Sequence, residues 1–301
     1  MPLKVILMKN TTLLILCIAV VSVLLVAGCT QTQVPQPTPS PTATPTTQPA
    51  DTIKTADTAL GKILVDAQGK TLYYFANDIP ASGASSCYGQ CAVVWPIFST
   101  DAIKVSSPLD PADFGSITRT DGSKQTTYYG WPLYYYQGDT KAGDTNGENV
   151  LKVWFVVKPD ESVLISNSAT LGLHLTDTSG KTLYYFTKDT TGQSACTGAC
   201  VATWPPFSAD TVTAPSVLNT GAFSSVSRTD GMNQTAFMGR PLYYYSADTK
   251  PGNVNGQGFN NLWYVANVSG SVPVATTVPT TVPTTTRTPS LATGGGGGGG
   301  Y

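Results

Sequence analysis

The sequence predicts an all-β protein: two tandem antiparallel β modules, each a small barrel or sandwich, flanked by disordered Thr/Pro-rich linkers. Three observations predict it. The middle of the chain repeats itself at a nearly fixed offset. Within each copy, short runs rich in Val, Ile, Tyr and Phe are separated by Gly, Asp-Gly and Asn-Gly turn signals. Past the N-terminal apolar run, no stretch sustains helical periodicity.

Residues 1–28 read as a signal peptide. Lys4 and Lys9 form a short basic region, residues 13–28 are an uninterrupted apolar run, and Met8 is a plausible alternative start. The run ends in "LVAGC", which resembles the lipobox of secreted lipoproteins and so implies lipid attachment at Cys29. An ordinary signal peptide and a membrane-spanning anchor are the alternatives. Each leaves the rest of the chain outside the membrane. Residues 29–55 follow as a lipid-anchored linker. Its stretch "TQTQVPQPTPSPTATPTTQPA" carries no charge and almost no large apolar group, so it has too little surface to bury and favours extended conformers. Its threonines are candidates for sugars. Removing residues 1–28 leaves 15 basic against 18 acidic residues, a net charge near −3. No basic stripe suits nucleic acid.

The modules are residues 56–160 and 165–270, with the boundary inside "KPDESVLISNSA". Cys87, Cys91, Trp95, Asp121 and Trp154 recur as Cys196, Cys200, Trp204, Asp230 and Trp263, each 109 positions on, while Tyr73 and Tyr184 lie 111 apart. "KILVD" and "TLYYF" read as a hairpin across Gly69, and "SITRT" and "QTTYY" as another across Asp121-Gly122. Cys87, Cys91 and Trp95 are spaced to share one face of a short helical turn. "KVWFVV" closes the module as an apolar strand. Residues 271–301 form a Thr/Pro/Gly tail.

Four stretches share one frame: "GKTLYYFAND", "GWPLYYYQGD", "GKTLYYFTKD" and "GRPLYYYSAD". Strand alternation puts Tyr73 with Phe75 on one face, and likewise Tyr134 with Tyr136, Tyr184 with Phe186, and Tyr243 with Tyr245. Leu72 and Tyr74 take the other face, so the strand is covered on both sides. One reading makes the aromatics core and has Asp78, Asp139, Asp189 and Asp248 satisfy Tyr hydroxyls or support turns. The other makes them an exposed platform for sugars or other flat ligands.

Outside the membrane, the pairs Cys87/Cys91 and Cys196/Cys200 are expected as disulfides. Haem attachment is disfavoured because Ala92 and Val201 stand where a histidine would follow. Zinc would need four pooled thiolates, and no neighbouring His or Lys shows how a redox-active thiolate would be held. The loop "GDTKAGDTNGEN" offers Asp139, Asp144, Asn146 and Glu148 as a weak calcium candidate, and the second module replaces its later acids with Asn253 and Gln257. Asn233 and Asn267 begin glycosylation sequons. Catalytic signatures are few: His174 is the single histidine, and no nucleophile elbow or phosphate loop is present.

The order Tyr-x4-Asp, Cys-x3-Cys, Trp-Pro, Arg-x-Asp-Gly and a second Leu-Tyr-Tyr, over about residues 59–268, resembles the family of secreted repeat lipoproteins that carry this motif. The resemblance implies export and repetition, and no reaction. The expected function is a cell-surface lipoprotein with a non-enzymatic binding or envelope-interaction role. Its expected partners are the membrane, through the lipid, and an envelope polymer, glycan or surface protein; no cofactor is predicted. The alternatives are a surface redox or cofactor-binding protein and a carboxylate-dependent hydrolase of envelope polymers.

Overall fold

The computed structural model describes residues 51–269, so residues 1–50, with the signal segment and Cys29, and the tail beyond Ser269 lie outside the described residues. Each module contributes seven strands and one short helix. The first holds β1 (Ile53–Thr58), β2 (Gly61–Asp66), β3 (Tyr73–Phe75), α1 (Gln90–Val94), β4 (Phe114–Thr118), β5 (Lys124–Tyr128), β6 (Trp131–Pro132) and β7 (Trp154–Val156). The second repeats them as β8 (Leu164–Ser168), β9 (Gly172–Thr176), β10 (Tyr184–Phe186), α2 (Ala199–Thr203), β11 (Phe223–Ser227), β12 (Asn233–Phe237), β13 (Arg240–Pro241) and β14 (Trp263–Val265). The described residues of both modules fall in one compact unit.

Among the described residues the strands form small antiparallel sheets of two or three strands, and none closes into a barrel. The hairpin across Asp121-Gly122 forms as expected, as β4 with β5. The hairpin expected across Gly69 does not extend: β2 meets the following segment at one bridge, Val65 to Thr71. Its full-length partner is β1, paired from Ile53–Asp66 to Thr58–Gly61, so the first strand begins inside the stretch read as linker. The turn between them is held by Thr58, whose Oγ1 accepts the Leu60 N–H, and by Gly61 at φ +94°, a conformation glycine adopts without strain. Polar residues along "IKTADT" hide this strand from a reading of apolar runs.

Strand alternation separates two kinds of core. Leu72 and Tyr74 enter a large cluster that continues into the second module through Leu164, Ile165, Leu175 and Leu183. Tyr73 and Phe75 enter a separate aromatic cluster with Trp95, Tyr134 and Trp154. Tyr184, Phe186, Trp204, Tyr243 and Trp263 build its counterpart in the second module.

The two modules are joined by β8, which crosses the Tyr74 side of the first. The Ile165 N–H donates to the Tyr74 hydroxyl at 3.2 Å and the Asn167 N–H to the Ala76 carbonyl at 2.7 Å. Trp131 Nε1 donates to the Thr178 carbonyl at 2.9 Å and Lys158 Nζ to the Ala214 carbonyl at 3.0 Å. Glu161, in the connecting segment, is 7% exposed and its carboxyl oxygens have no hydrogen-bond partner.

Candidate functional site

The Tyr-x4-Asp motif is built as a reciprocal exchange. Tyr73 and Tyr134 meet in antiparallel register, each backbone N–H donating to the other's carbonyl at 2.9 and 3.0 Å. Their side chains then cross over. Tyr73 Oη donates to Asp139 Oδ2 at 2.6 Å, and Tyr134 Oη to Asp78 Oδ2 at 2.6 Å. In the second module Tyr184 donates to Asp248 at 2.5 Å and Tyr243 to Asp189 at 2.8 Å. Each tyrosine therefore binds the acid of the other motif copy.

The second oxygen of each acid closes a loop by accepting a backbone N–H. The donors are Ser86 for Asp78 at 2.5 Å, Asn146 for Asp139 at 2.9 Å, Ala195 for Asp189 at 2.7 Å and Asn255 for Asp248 at 3.0 Å. Burial, the largest influence on Asp78, pushes its carboxyl up to about 6 against the pull of the Tyr134 and Ser86 hydrogen bonds. Asp139 and Asp189 are raised for the same reason. All four tyrosine phenols sit well above their ordinary value, burial first. At Gly147 the backbone N–H donates to Tyr73 Oη at 3.2 Å, and a Cβ there would fall 2.9 Å from the Tyr73 and Trp95 rings. That close approach accounts for the recurrent Asn-Gly.

The remaining rings form a column in each module. Phe75 stacks on Trp154 at 4.1 Å, Trp154 on Trp95 at 3.8 Å, and Trp95 lies 4.4 Å from Tyr136. The column of Phe186, Trp263, Trp204 and Tyr245 has spacings of 4.2, 3.8 and 4.3 Å. Tyr73, Phe75, Tyr134, Tyr184, Phe186 and Tyr243 are buried, and only Tyr136 and Tyr245 reach solvent, half-buried at the column ends. Beside Tyr245 is an open groove of about 260 Å³ lined by Lys181, Thr182, Pro205, Tyr244, Ser246 and Asp248. The Phe259 ring lies 5.6 Å from Tyr245. Val150 stands at that place in the first module.

Both cysteine pairs are disulfides, with Cα atoms 5.3 Å apart for Cys87–Cys91 and 5.4 Å for Cys196–Cys200. Each loop is held by an arginine whose part the sequence reading missed. Arg119, 3% exposed, donates to Gln125 Oε1 at 2.6 Å and to the Cys87 carbonyl. Arg228 donates to Gln234 Oε1 at 2.7 Å, to Ser194 Oγ at 2.7 Å and to the Cys196 carbonyl at 2.8 Å. The repeated "RTDG" was the available signal, but nothing in it says that the charge is buried. Asp66 Oδ1 accepts the Gln68 and Lys70 N–H groups of its turn and Oδ2 the Tyr135 hydroxyl at 2.8 Å, and Asp177 does the same with Ser179, Lys181 and Tyr244, the last at 3.1 Å.

The side chains of the calcium candidate are engaged within the loop and, for Glu148, with β7 and Ser216. Asp144 Oδ2 accepts the Thr140 and Lys141 N–H groups, each at 2.9 Å, and Asn146 Nδ2 donates to the Gly138 carbonyl at 3.2 Å. Glu148 Oε2 accepts the Val156 N–H at 2.7 Å, and Oε1 accepts Ser216 Oγ. Among the described residues no group of three or more His, Cys, Asp or Glu is arranged to hold a metal. Asn233 is exposed at the start of β12. Asn267 is half-buried, its Oδ1 accepting the Ser269 N–H at 3.0 Å. His174 is buried, and burial lowers its affinity for a proton.

A family described as a secreted repeat of unknown function matches the chain four times, over residues 54–99, 115–158, 167–208 and 224–267, more than half of its length. Each match holds one Tyr-x4-Asp, so a family repeat is half of a module. No curated protein and no solved structure matches the chain.

Proposed function

The chain belongs to this family of secreted repeats, and from that premise we propose that it is a surface lipoprotein that binds an envelope polymer or glycan without transforming it. Lipid on Cys29 anchors it to the outer face of the membrane, and the Thr/Pro linker holds the modules clear of the surface. The observation that carries the binding reading is the groove at Tyr245. The Tyr245 ring, a further ring at Tyr244, and the polar groups of Lys181 and Ser246 border one open groove. Ring faces take the apolar faces of sugars, and flanking hydrogen-bonding groups take their hydroxyls. Tyr136 offers a smaller ledge of the same kind, and two weak sites on one chain gain avidity.

Titration of the mature protein with solubilised envelope glycans, followed by tryptophan fluorescence, tests this. Tyr245→Ala is expected to weaken binding about tenfold or more, the loss of roughly one stacking contact. Unchanged binding in a Tyr136→Ala/Tyr245→Ala double variant would remove the ledges from the account. Intact mass of the membrane-extracted protein tests the lipid, which must appear on the peptide that begins at Cys29.

The ring columns support a second reading, surface electron relay, because each runs from a buried Phe to a half-exposed Tyr at contact spacing. That reading requires a redox partner or a bound cofactor. A mass lost between native and denatured spectra would favour it over the binding module.

A further inference from the structure

The joint between the modules has two halves, a face and an edge, and each half recurs once more without its mate. The face belongs to the first module. There the Tyr74 hydroxyl accepts the Ile165 N–H at 3.2 Å, the Ala76 carbonyl the Asn167 N–H at 2.7 Å, and Asn77 Oδ1 the Asn167 Nδ2 at 2.7 Å. In the second module the same three positions are Tyr185, Thr187 and Lys188, beside a groove lined by Phe237, Arg240 and Leu242. No described strand crosses this second face. Tyr185 is 5% exposed, and its hydroxyl has no hydrogen-bond partner among the described residues. Thr187 is exposed where Ala76 is buried.

The edge is the outer side of β8, and β1 repeats it. The two strands align at an offset of 110, which matches Thr58 with Ser168 at the hairpin turn. It also matches Ile53 with Val163, whose N–H groups donate to the equivalent carbonyls of Lys104 and Thr213. Thr55 and Asp57 therefore stand at Ile165 and Asn167. Alternation along the ladder points their N–H groups away from β2, as it does for Ile53, and no described residue accepts them.

We propose that a second copy of this chain joins these halves: the β1 edge of one copy seats on the Tyr185 face of another, repeating between chains the joint that β8 makes within one. In that register the Thr55 N–H meets Tyr185 Oη and the Asp57 N–H meets the Thr187 carbonyl. Charge identifies the occupant independently. Where the internal joint pairs two neutral amides, Asn77 with Asn167, the open halves carry Lys188 on the face and Asp57 on the edge. Where Trp131 and Glu161 line one cavity of the internal joint, they carry Arg240 on the face and Asp51 on the edge. Among the described residues Lys188 and Arg240 are in no ion pair, while Asp57 pairs at the surface with Lys62 at 2.8 Å. Two like faces would set cation against cation. The match is less apolar than the internal joint, because Thr55 replaces Ile165 and Lys54, its Nζ on the Ala67 carbonyl at 2.8 Å, replaces Leu164. The contact is accordingly weak and forms at high concentration. A face that meets a different edge makes a head-to-tail contact, which extends copy by copy. This inference is independent of the glycan reading.

Sedimentation velocity on the full mature chain tests it, with Cys29→Ser so that no lipid drives association. From about 1 µM to about 1 mM the protein is expected to grow past the dimer, and raising salt from about 0.05 M to about 0.5 M should weaken that growth about tenfold. Lys188→Glu and Asp57→Lys each place like charges in the contact and should weaken association about tenfold or more. Both residues are exposed, so each variant keeps the fold. The double variant restores an opposite pair and should recover association. A monomer throughout the range would overturn the inference and leave the face to another occupant. So would association that stops at a dimer, or that the charge reversals leave unchanged.

Discussion

Asp78 shows what the recurrent acid does at the level of one residue. One oxygen takes the Tyr134 hydroxyl and the other the Ser86 N–H, so a single side chain ties a motif strand to the loop that enters the disulfide. The cost is a buried carboxylate. With its pKa at about 6 against an ordinary 3.8, the native state holds the Asp78 proton more tightly than the unfolded chain does. Stability from this group is therefore full below about pH 4 and falls as pH rises through about 6. The shift corresponds to ~3 kcal/mol at most. Urea unfolding at about pH 4 and pH 7 should show Asp78→Asn losing less stability over that range than the wild type. Equal losses would place the pH dependence elsewhere. That a tyrosine would find an acid was legible in the sequence. That it would be the acid of the other copy was not, since a periodic motif does not say which copies pair.

The element that most needs support is the short helix with its disulfide. Five residues of helix cannot persist alone, and neither α1 nor α2 buries a residue within its own span. They are held from outside, by the disulfide, by the tryptophan that follows and by the buried arginine. A loop with a sequence separation of 4 contributes ~2 kcal/mol by chain entropy. Arg119→Met would leave the Cys87 carbonyl and Gln125 Oε1 without this donor in the interior, a cost of ~2–4 kcal/mol. The prediction is that Arg119→Met lowers the urea midpoint more than Cys87→Ser/Cys91→Ser does. The reverse order would make the disulfide the main fastener. Spacing and cellular compartment sufficed to read the disulfides, and Asp-Gly sufficed to read the β4–β5 hairpin. The β1–β2 pairing was hidden because β1 is half polar and sits against a linker of similar composition. The buried arginines were hidden because a charge two residues before an Asp-Gly turn ordinarily faces water.

At the scale of the whole molecule the two modules share a core through Tyr74, Leu164 and Ile165, so they should unfold together. Calorimetry is expected to give one transition whose van't Hoff and calorimetric enthalpies agree, and two resolved transitions would contradict the shared core. Glu161 lies at that junction, and burial lifts its carboxyl far above the ordinary range despite the charge of Lys158. Its folded pKa is raised, so its contribution falls as pH rises above the unfolded value of about 4.5. Glu161→Gln should therefore raise the melting temperature at about pH 8 and change it little at about pH 4, whereas stabilisation equal at both would exclude ionisation as the cause. Duplication was plain in the sequence. Less plain was that each module is itself a pair of repeats locked by exchange, which is the central claim here. Double-mutant cycles on stability test it most directly. Tyr73→Phe with Asp139→Asn should couple by ~1–3 kcal/mol, and Tyr73→Phe with Asp78→Asn, the acid of its own copy, should add within about 0.5 kcal/mol. Strong coupling in the second cycle and none in the first would show that each copy satisfies itself, and the exchanged architecture would be wrong.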